Sequence, residues 1–125
     1  MKLLPKQIDE SALASLGKEA ATMLMQRDYE SLASRFGYAL AYGRELAAAI
    51  EEDYERATAT PIETKSNVSS SVKVKYFTPN DSGLFAVVEC VVPVARKSAV
   101  LLELVVSGNS QEKHITVEDI SSVAA

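Results

Sequence analysis

The chain has 125 residues, of which 47% are hydrophobic, and it carries a formal net charge of −4 at pH 7. This length and composition predict one domain that buries roughly two-thirds of the surface exposed by its unfolded form, which excludes a disordered tail. The acidic balance argues against nucleic acid as a partner, because phosphate backbones are bound by clustered Lys and Arg.

Three amphipathic helices are predicted in the first half of the chain. Over residues 8–25, apolar side chains recur every three or four positions, which is the spacing of one helical face. The second helix spans residues 29–40, and Gly43 can end it by adopting a left-handed conformation. The third runs over about 44–57. Its solvent side is an acidic band of Glu51, Glu52, Asp53 and Glu55.

A connector over residues 58–71, rich in Ser and Thr, leads to a second half with a different apolar period. Side chains there alternate with period two, which predicts four antiparallel strands over about 72–120. Turn residues at 79–83, 95–97 and 108–109 set the pairing of these strands. The resulting register predicts one polar row on the outer face: Lys73, Glu89, Glu103 and His114.

The other face of the predicted sheet carries no charged side chain, and it includes Tyr76 and Cys90 among its aliphatic residues. We expect the helices to cover this face, since burial of apolar surface is the main favourable term for folding. The sequence therefore predicts an α+β fold, with three N-terminal helices packed on one face of a curved, cone-like, four-stranded antiparallel sheet.

This layout resembles the NTF2-like, or cystatin-like, α+β superfamily, whose helices pack into a curved sheet to form a cone with an interior cavity. Within it, residues 27–32, 97–104 and 115–120 are similar to a small bacterial family of uncharacterised domains. The resemblance implies a single domain over residues 1–125. It implies no particular activity, because the superfamily includes isomerases, dehydratases, transport adaptors and immunity-type binders.

An interior pocket is the place where an enzyme of this layout would work. The isomerase members resemble one another in placing carboxylates and a tyrosine hydroxyl inside the cavity, whereas the predicted register turns every strand carboxylate outward. We therefore assign no catalytic residue, cofactor or metal ligand. The candidates for lining a pocket are Tyr38, Tyr42, Tyr54, Tyr76 and Cys90. Ordinary core packing, with the tyrosine hydroxyls at the rim, explains the same aromatic residues.

The outer face of the sheet is too apolar to face water alone, which is typical of a contact surface. Its apolar members are Phe85, Val87, Val91, Leu101 and Val105. Three polar members, Glu89, Glu103 and His114, fit a solvated charge ladder, polar contacts in an interface, or a reactive or metal site. The lone histidine has no second histidine at metal-binding spacing. Inside an interface, the available ion pairs are Lys73 with Glu89 and Glu103 with His114.

We interpret the chain as a non-catalytic interaction or small-ligand-binding module, dimeric through its sheet. Its expected partner is a second copy, with another protein or a small apolar ligand as alternatives. A cavity enzyme of isomerase or dehydratase type and an immunity-type inhibitor are the rival hypotheses. The single cysteine, Cys90, and the lack of any apolar run long enough to span a membrane indicate the cytoplasm.

Overall fold

The computed structural model describes residues 1–59 and 67–123, and the part of the predicted connector at 60–66 lies outside them. The helices are α1 (Glu10–Met25), α2 (Tyr29–Phe36) and α3 (Leu46–Ala59). The strands are β1 (Lys2–Leu3), β2 (Ser71–Tyr76), β3 (Leu84–Ala95), β4 (Ser98–Gly108) and β5 (Lys113–Ser122). Within the described residues, no helix has both the length and the apolar character needed to cross a membrane.

The α+β class and the order of helices before strands are confirmed. The sheet, however, is five-stranded with order β1-β5-β4-β3-β2, and it is neither closed nor strongly curled. The prediction of four strands missed β1, whose two residues are too few to show an alternating pattern. The predicted cone-like curvature is not found, since the sheet is not strongly curled.

Gly17 lets α1 lie directly on the sheet. A Cβ atom at this position would be 2.7 Å from Val88 Cγ1, 3.0 Å from Val72 Cγ1 and 3.1 Å from Cys90 Sγ. Since real Cβ atoms do not approach other heavy atoms at 2.7 Å, only glycine fits here without a shift of the strands. The helical layer therefore touches β3 here, whereas a cone would hold the two layers apart.

The helix ends follow from local side-chain and glycine chemistry. Asp9 caps α1 by accepting a hydrogen bond from the Ala12 amide at 2.8 Å. The second helix ends at Phe36, four residues earlier than predicted, because Gly37 takes the C-cap position with φ 75°. Gly43, the predicted terminator, instead follows a short 3₁₀ turn at Ala39–Ala41.

The predicted pairing of the first three long strands is confirmed. Lys73 lies opposite Glu89, and Glu89 lies opposite Glu103. The loop between β3 and β4 is shorter than expected, since Ala95 already pairs with Ser98. A bulge between Pro93 and Ala95 offsets that difference, so the register beyond it is the predicted one.

The pairing of β5 differs from the prediction. The expected Gly108-Asn109 turn is replaced by a longer loop, in which Gly108 pairs with Lys113. The Asn109 side chain stabilises this loop, because its Oδ1 accepts hydrogen bonds from the Gln111 and Glu112 amides at 2.8 Å. His114 therefore lies opposite Ser107 rather than Glu103. The slip is by four residues as far as Val117, so the side chains of β5 up to that residue still point to the predicted faces. Beyond Val117 a bulge adds one residue and reverses the alternation.

The core lies between the helices and the inner face of the sheet. Helix α1 packs on β2 and β3, α3 packs on β4 and β5, and α2 contacts both other helices. Ten inner-face strand residues are fully buried. They are Ala86, Val88, Cys90, Val92, Val100, Leu102, Leu104, Val106, Ile115 and Val117. The prediction that helices cover the uncharged face is thus confirmed, although Tyr76 and Leu84 at its margin stay exposed.

Candidate functional site

The tyrosines predicted to line a pocket have separate surroundings. Tyr42 is 83% exposed, in a left-handed backbone conformation. Tyr76 is also exposed, and its hydroxyl donates to the Ile8 carbonyl at 2.8 Å. Tyr54 is buried beside the Tyr29 ring, with 6.3 Å between ring centroids. These side chains do not converge on one cavity.

Cys90 was also predicted to line the pocket, but it is a buried structural thiol. Its Sγ donates to the Gly17 carbonyl oxygen at 3.5 Å, under the crossing of α1 and β3. Burial raises its pKa to about 12, so the reactive thiolate form is scarce at neutral pH. The geometry gives this cysteine no role as a nucleophile.

Tyr38 belongs to a buried polar cluster with Asp53 on α3. The Tyr38 hydroxyl donates to Asp53 Oδ2 at 2.5 Å. The Arg44 guanidinium donates to both carboxylate oxygens at 3.1 Å, and Arg56 lies 3.3 Å from Oδ1. Arg44 also donates to the Leu40 and Ala41 carbonyls, at 2.7 and 2.9 Å. The cluster therefore fixes the 3₁₀ turn to α3.

The charges of this cluster offset one another. Burial alone would raise the pKa of Asp53, but the hydrogen bonds from Arg44 and Tyr38 outweigh it and leave the pKa lowered. Burial and the bond to the Asp53 carboxylate raise the pKa of Tyr38, which keeps its hydroxyl protonated. The two carboxylate oxygens of Asp53 have four contacts, one with Tyr38, two with Arg44 and one with Arg56. The carboxylate therefore acts as a structural hydrogen-bond acceptor.

The sequence interpretation of Asp53 is wrong. It was placed in the solvated acidic band of α3, whereas its side chain is 7% exposed. The missed signal was its spacing: Asp53 follows Ile50 by three residues and precedes Ala57 by four, on the buried stripe of the helix. A carboxylate on such a stripe needs a cation beside it, and the half-buried Arg44 provides it.

The outer face of the sheet has three aligned rows of side chains, and none of the described helices or strands covers them. One row is Lys75, Val87, Val105 and Thr116. The middle row is Lys73, Glu89, Glu103 and Asp119. The third is Ser71, Val91, Leu101 and Ser121. All members on β3, β4 and β5 are half-buried.

A bulge in β5 adds a further carboxylate to the middle row. Leu104 pairs with Val117 and Glu103 with Asp119, so Glu118 is an extra residue and both acids lie beside Glu103. Burial raises the pKa of Glu103, and the negative charges of Asp119, Glu89 and Glu118 add to this effect. Sequence reasoning missed this acidic cluster because bulges leave no clear pattern in one sequence.

Neither of the two ion pairs predicted for the middle row is formed among the described residues. Glu89 is paired with Lys75, whose Nζ lies 2.7 Å from Glu89 Oε1, although Lys73 is its partner across the strands. The predicted pair of Glu103 with His114 is wrong because of the shifted third hairpin. His114 Nε2 instead lies 3.5 Å from Glu112 Oε1, at the end of the sheet.

Phe85 has a different environment from the other four apolar candidates. It is the extra residue of a bulge between Leu84 and Ala86. Its ring packs against Tyr76 at 5.4 Å between centroids, and Lys113 Nζ lies 4.8 Å from its centroid. The structure therefore brings together Val87, Val91, Leu101 and Val105 around the acidic row, with Phe85 at the end of the sheet.

A surface groove of about 270 Å³ lies between α1 and the start of β2. Its lining includes Ala21 and Met25 from α1, and Val72 from β2. This volume is below the usual range for small-molecule sites, which starts at about 300 Å³. Within residues 1–59 and 67–123, no three His, Cys, Asp or Glu side chains are arranged to hold a metal ion.

Comparison with known proteins adds no identification. No family model matches the chain, and neither a curated protein nor a solved structure matches it. The geometry therefore supports an α+β fold with three helices and a five-stranded antiparallel sheet, and the outer face of that sheet is the strongest candidate site.

Proposed function

We propose that this chain is a non-catalytic interaction module that binds a protein partner through the outer face of its sheet. The contact surface is defined here as Val87, Val91, Leu101 and Val105, together with the middle row of charged residues. One observation supports the proposal: these apolar side chains form two aligned rows outside the core, and no described element covers them.

Burial of this surface would be favourable. A fully buried Val or Leu side chain contributes about 1.5–3 kcal/mol relative to an exposed one. The four side chains here are already half-buried by their neighbours in the sheet, so a partner would gain about half of that for each. Apolar surface with a polar middle is typical of protein contacts, in which charged groups must pair when they are buried.

The inner side of the sheet favours this hypothesis over the cavity enzyme. Its buried carboxylate, Asp53, is bonded to Arg44 and Tyr38. An acid or base that works on a substrate needs a free position for the reacting proton, and these contacts leave none pointing into a cavity. The immunity-type inhibitor remains an alternative, and it would use the same acidic outer face.

The NTF2-like resemblance stays a prediction about ancestry. Helices placed before an antiparallel sheet are the part of that layout that this fold shares, and a strongly curled cone is the part that it lacks. A cytoplasmic location stays a prediction as well. It fits a buried thiol that has no disulfide partner among the described residues.

Sedimentation velocity of the wild type and of Val105→Asp tests the proposal. Val105 lies at the centre of the surface, where a charge would be desolvated by any partner. We expect the wild type to associate below about 0.5 mM, and we expect Val105→Asp to stay monomeric with an unchanged circular dichroism spectrum.

Ser34→Asp is the matched control, because Ser34 is exposed on α2, which belongs to the helical layer on the inner face of the sheet. This variant should associate like the wild type. A Val105→Asp variant that associates like the wild type would contradict the proposal. A wild type that stays monomeric at about 0.5 mM would exclude a second copy as the partner and leave a different protein as the occupant of the contact surface.

A further inference from the structure

Building on the contact surface proposed above, we infer that its occupant is a second copy of this chain, related by a two-fold axis parallel to the strands and lying between β3 and β4. The inference comes from the uneven distribution of charge across the outer face. It names both the partner and its orientation.

Positive and negative charges lie at opposite sides of the outer face. Lys73 and Lys75 are on β2, at one edge of the sheet. Glu118 and Asp119 are on β5, two strands beyond β3. The apolar rows lie between these sides, on β3 and β4. The face is therefore polarised across the strands rather than along them.

A two-fold axis parallel to the strands makes this face complementary to itself. Such an axis exchanges left and right and keeps each row at its own height, so it lays β2 over the partner's β5 and β3 over the partner's β4. Lys73 then faces Glu118 and Asp119 of the second copy. Val87 faces Val105, and Val91 faces Leu101, so apolar side chains meet apolar side chains. The strands of the two sheets stay aligned, as in ordinary sheet packing.

The other two-fold axis in the plane of the interface is unfavourable. An axis perpendicular to the strands lays each strand over its own copy, so Lys73 faces Lys73 and Asp119 faces Asp119. Like charges brought together in an interface cost affinity and suppress that mode of binding. The charge pattern thus selects one of two otherwise similar arrangements.

The centre of the favoured arrangement carries a cost that the structure reduces. Glu103 comes to face the partner's Glu89, which would bring two carboxylates together. The charge of Glu89 is already paired with Lys75 in its own copy, at 2.7 Å. The two-fold axis repeats both kinds of contact, so the dimer has two lysine-to-acid contacts at its sides and two Glu103–Glu89 contacts at its centre. Because each Glu89 is already neutralised by Lys75, the lateral attraction outweighs the central repulsion.

The face is large enough for a specific dimer. Strands β3, β4 and β5 have 12, 11 and 10 residues, which corresponds to roughly 35 Å at about 3.3 Å per residue. Four strands at about 4.8 Å give roughly 19 Å of width. Because β2 has only 6 residues, the face covers roughly 600 Å², which is close to the ~800 Å² per partner of a standard interface.

A charge exchange between two single variants tests the orientation. Lys73→Glu and Glu118→Lys should each weaken self-association by about tenfold or more, since each homodimer then holds two like-charge contacts. An equimolar mixture should form a heterodimer with nearly wild-type affinity, because both lateral contacts become attractive again. Sedimentation velocity with one variant carrying a fluorescent label reads this out. Circular dichroism checks the fold of each variant, and Glu118→Gln replaces Glu118→Lys if the lysine impairs folding, with weaker self-association still expected.

Failure of this inference is separable from failure of the proposed function. If Val105→Asp abolishes association but the mixture of Lys73→Glu and Glu118→Lys does not recover it, the surface is right and the orientation is wrong. Single variants Lys73→Glu and Glu118→Lys that each self-associate as tightly as the wild type indicate the perpendicular axis, in which like charges face like charges before and after the substitution, and overturn the inference. A monomeric wild type overturns this inference and leaves the proposed function with a different protein as the partner.

Discussion

The two faces of this sheet are built from the same alternating strands, yet they handle charge in opposite ways. The inner face has fully buried aliphatic side chains, and the single carboxylate near it is held by an arginine and a tyrosine. The outer face has half-buried aliphatic side chains around four carboxylates and two lysines. One face is satisfied within the chain, whereas the other keeps unused apolar surface and unbalanced charge.

This difference separates the side chains whose burial stabilises the fold from those that are available to a partner. A core needs every polar group paired inside the fold, because an unpaired buried charge is strongly unfavourable. The acids on β4 and β5 lack such pairing, and Lys75 reaches only Glu89. Apolar side chains that the fold does not require are available to a partner. Four predictions test this contrast between the inner and the outer face of the sheet.

The largest expected effect comes from neighbours on opposite faces. Leu102 is fully buried, and Leu101 beside it lies in an outer row. We expect Leu102→Ala to lower the free energy of unfolding by about 4 kcal/mol, because it leaves a cavity in the core. Leu101→Ala should lower it by only about 1 kcal/mol in dilute solution. Urea titrations of both variants check this, and equal effects would remove the distinction between the faces.

The second-largest loss of stability is expected for replacement of Asp53. Asp53→Asn leaves the Arg44 guanidinium without its charged partner, and we expect a loss of about 3 kcal/mol at neutral pH. Because the pKa of Asp53 is lowered in the folded state, its stabilisation is present above the unfolded value of about 3.9. It is lost as the pH falls through the folded pKa. The two proteins should therefore converge in stability below about pH 4, and a constant difference down to acid pH would contradict this role.

Gly17→Ala tests how tightly the helical layer lies on the inner face. The added Cβ would overlap Val88, and overpacking of this kind costs about 1–3 kcal/mol. The better helix propensity of alanine offsets about 1 kcal/mol of that, so we expect a net loss of up to about 2 kcal/mol. Ser15→Ala is the control, because Ser15 is exposed on the same helix and should gain up to about 0.5 kcal/mol. Thermal unfolding of both variants measures the difference.

The smallest effect is on the outer face, at Glu103. Its pKa is raised by burial and by neighbouring carboxylates, so the folded protein binds this proton more tightly than the unfolded chain does. Glu103→Gln should therefore be more stable than the wild type at neutral pH, by up to about 1 kcal/mol. The difference should shrink as the pH falls through the folded pKa and vanish below about 4.3. A less stable variant at pH 7 would show that this carboxylate is structurally required.

The sequence predicts what depends on regular periods and fails where a single contact decides. The alternation after residue 71 identifies both faces. The Pro-Asn-Asp-Ser-Gly turn at 79–83 and the short break at 95–97 place Lys73, Glu89 and Glu103 in one row. The position of His114 depends on how the Asn109 side chain folds its loop, which no period shows. Lys2–Leu3 is a strand only because it pairs with the first two residues of β5, Lys113 and His114.

The bulge at Glu118 also has a meaning for how this chain can change in length. In a regular strand, the loss of one residue turns every later side chain to the opposite face. Here the extra residue lies between two paired positions, Val117 and Asp119. Its deletion would restore a regular ladder and leave Ile120 in the core, with the Ser122 hydroxyl still able to reach the Ala57 carbonyl. Deletion of Glu118 would therefore remove one negative charge from the outer face, and the side chains on both sides of it would still point to the same faces of the sheet.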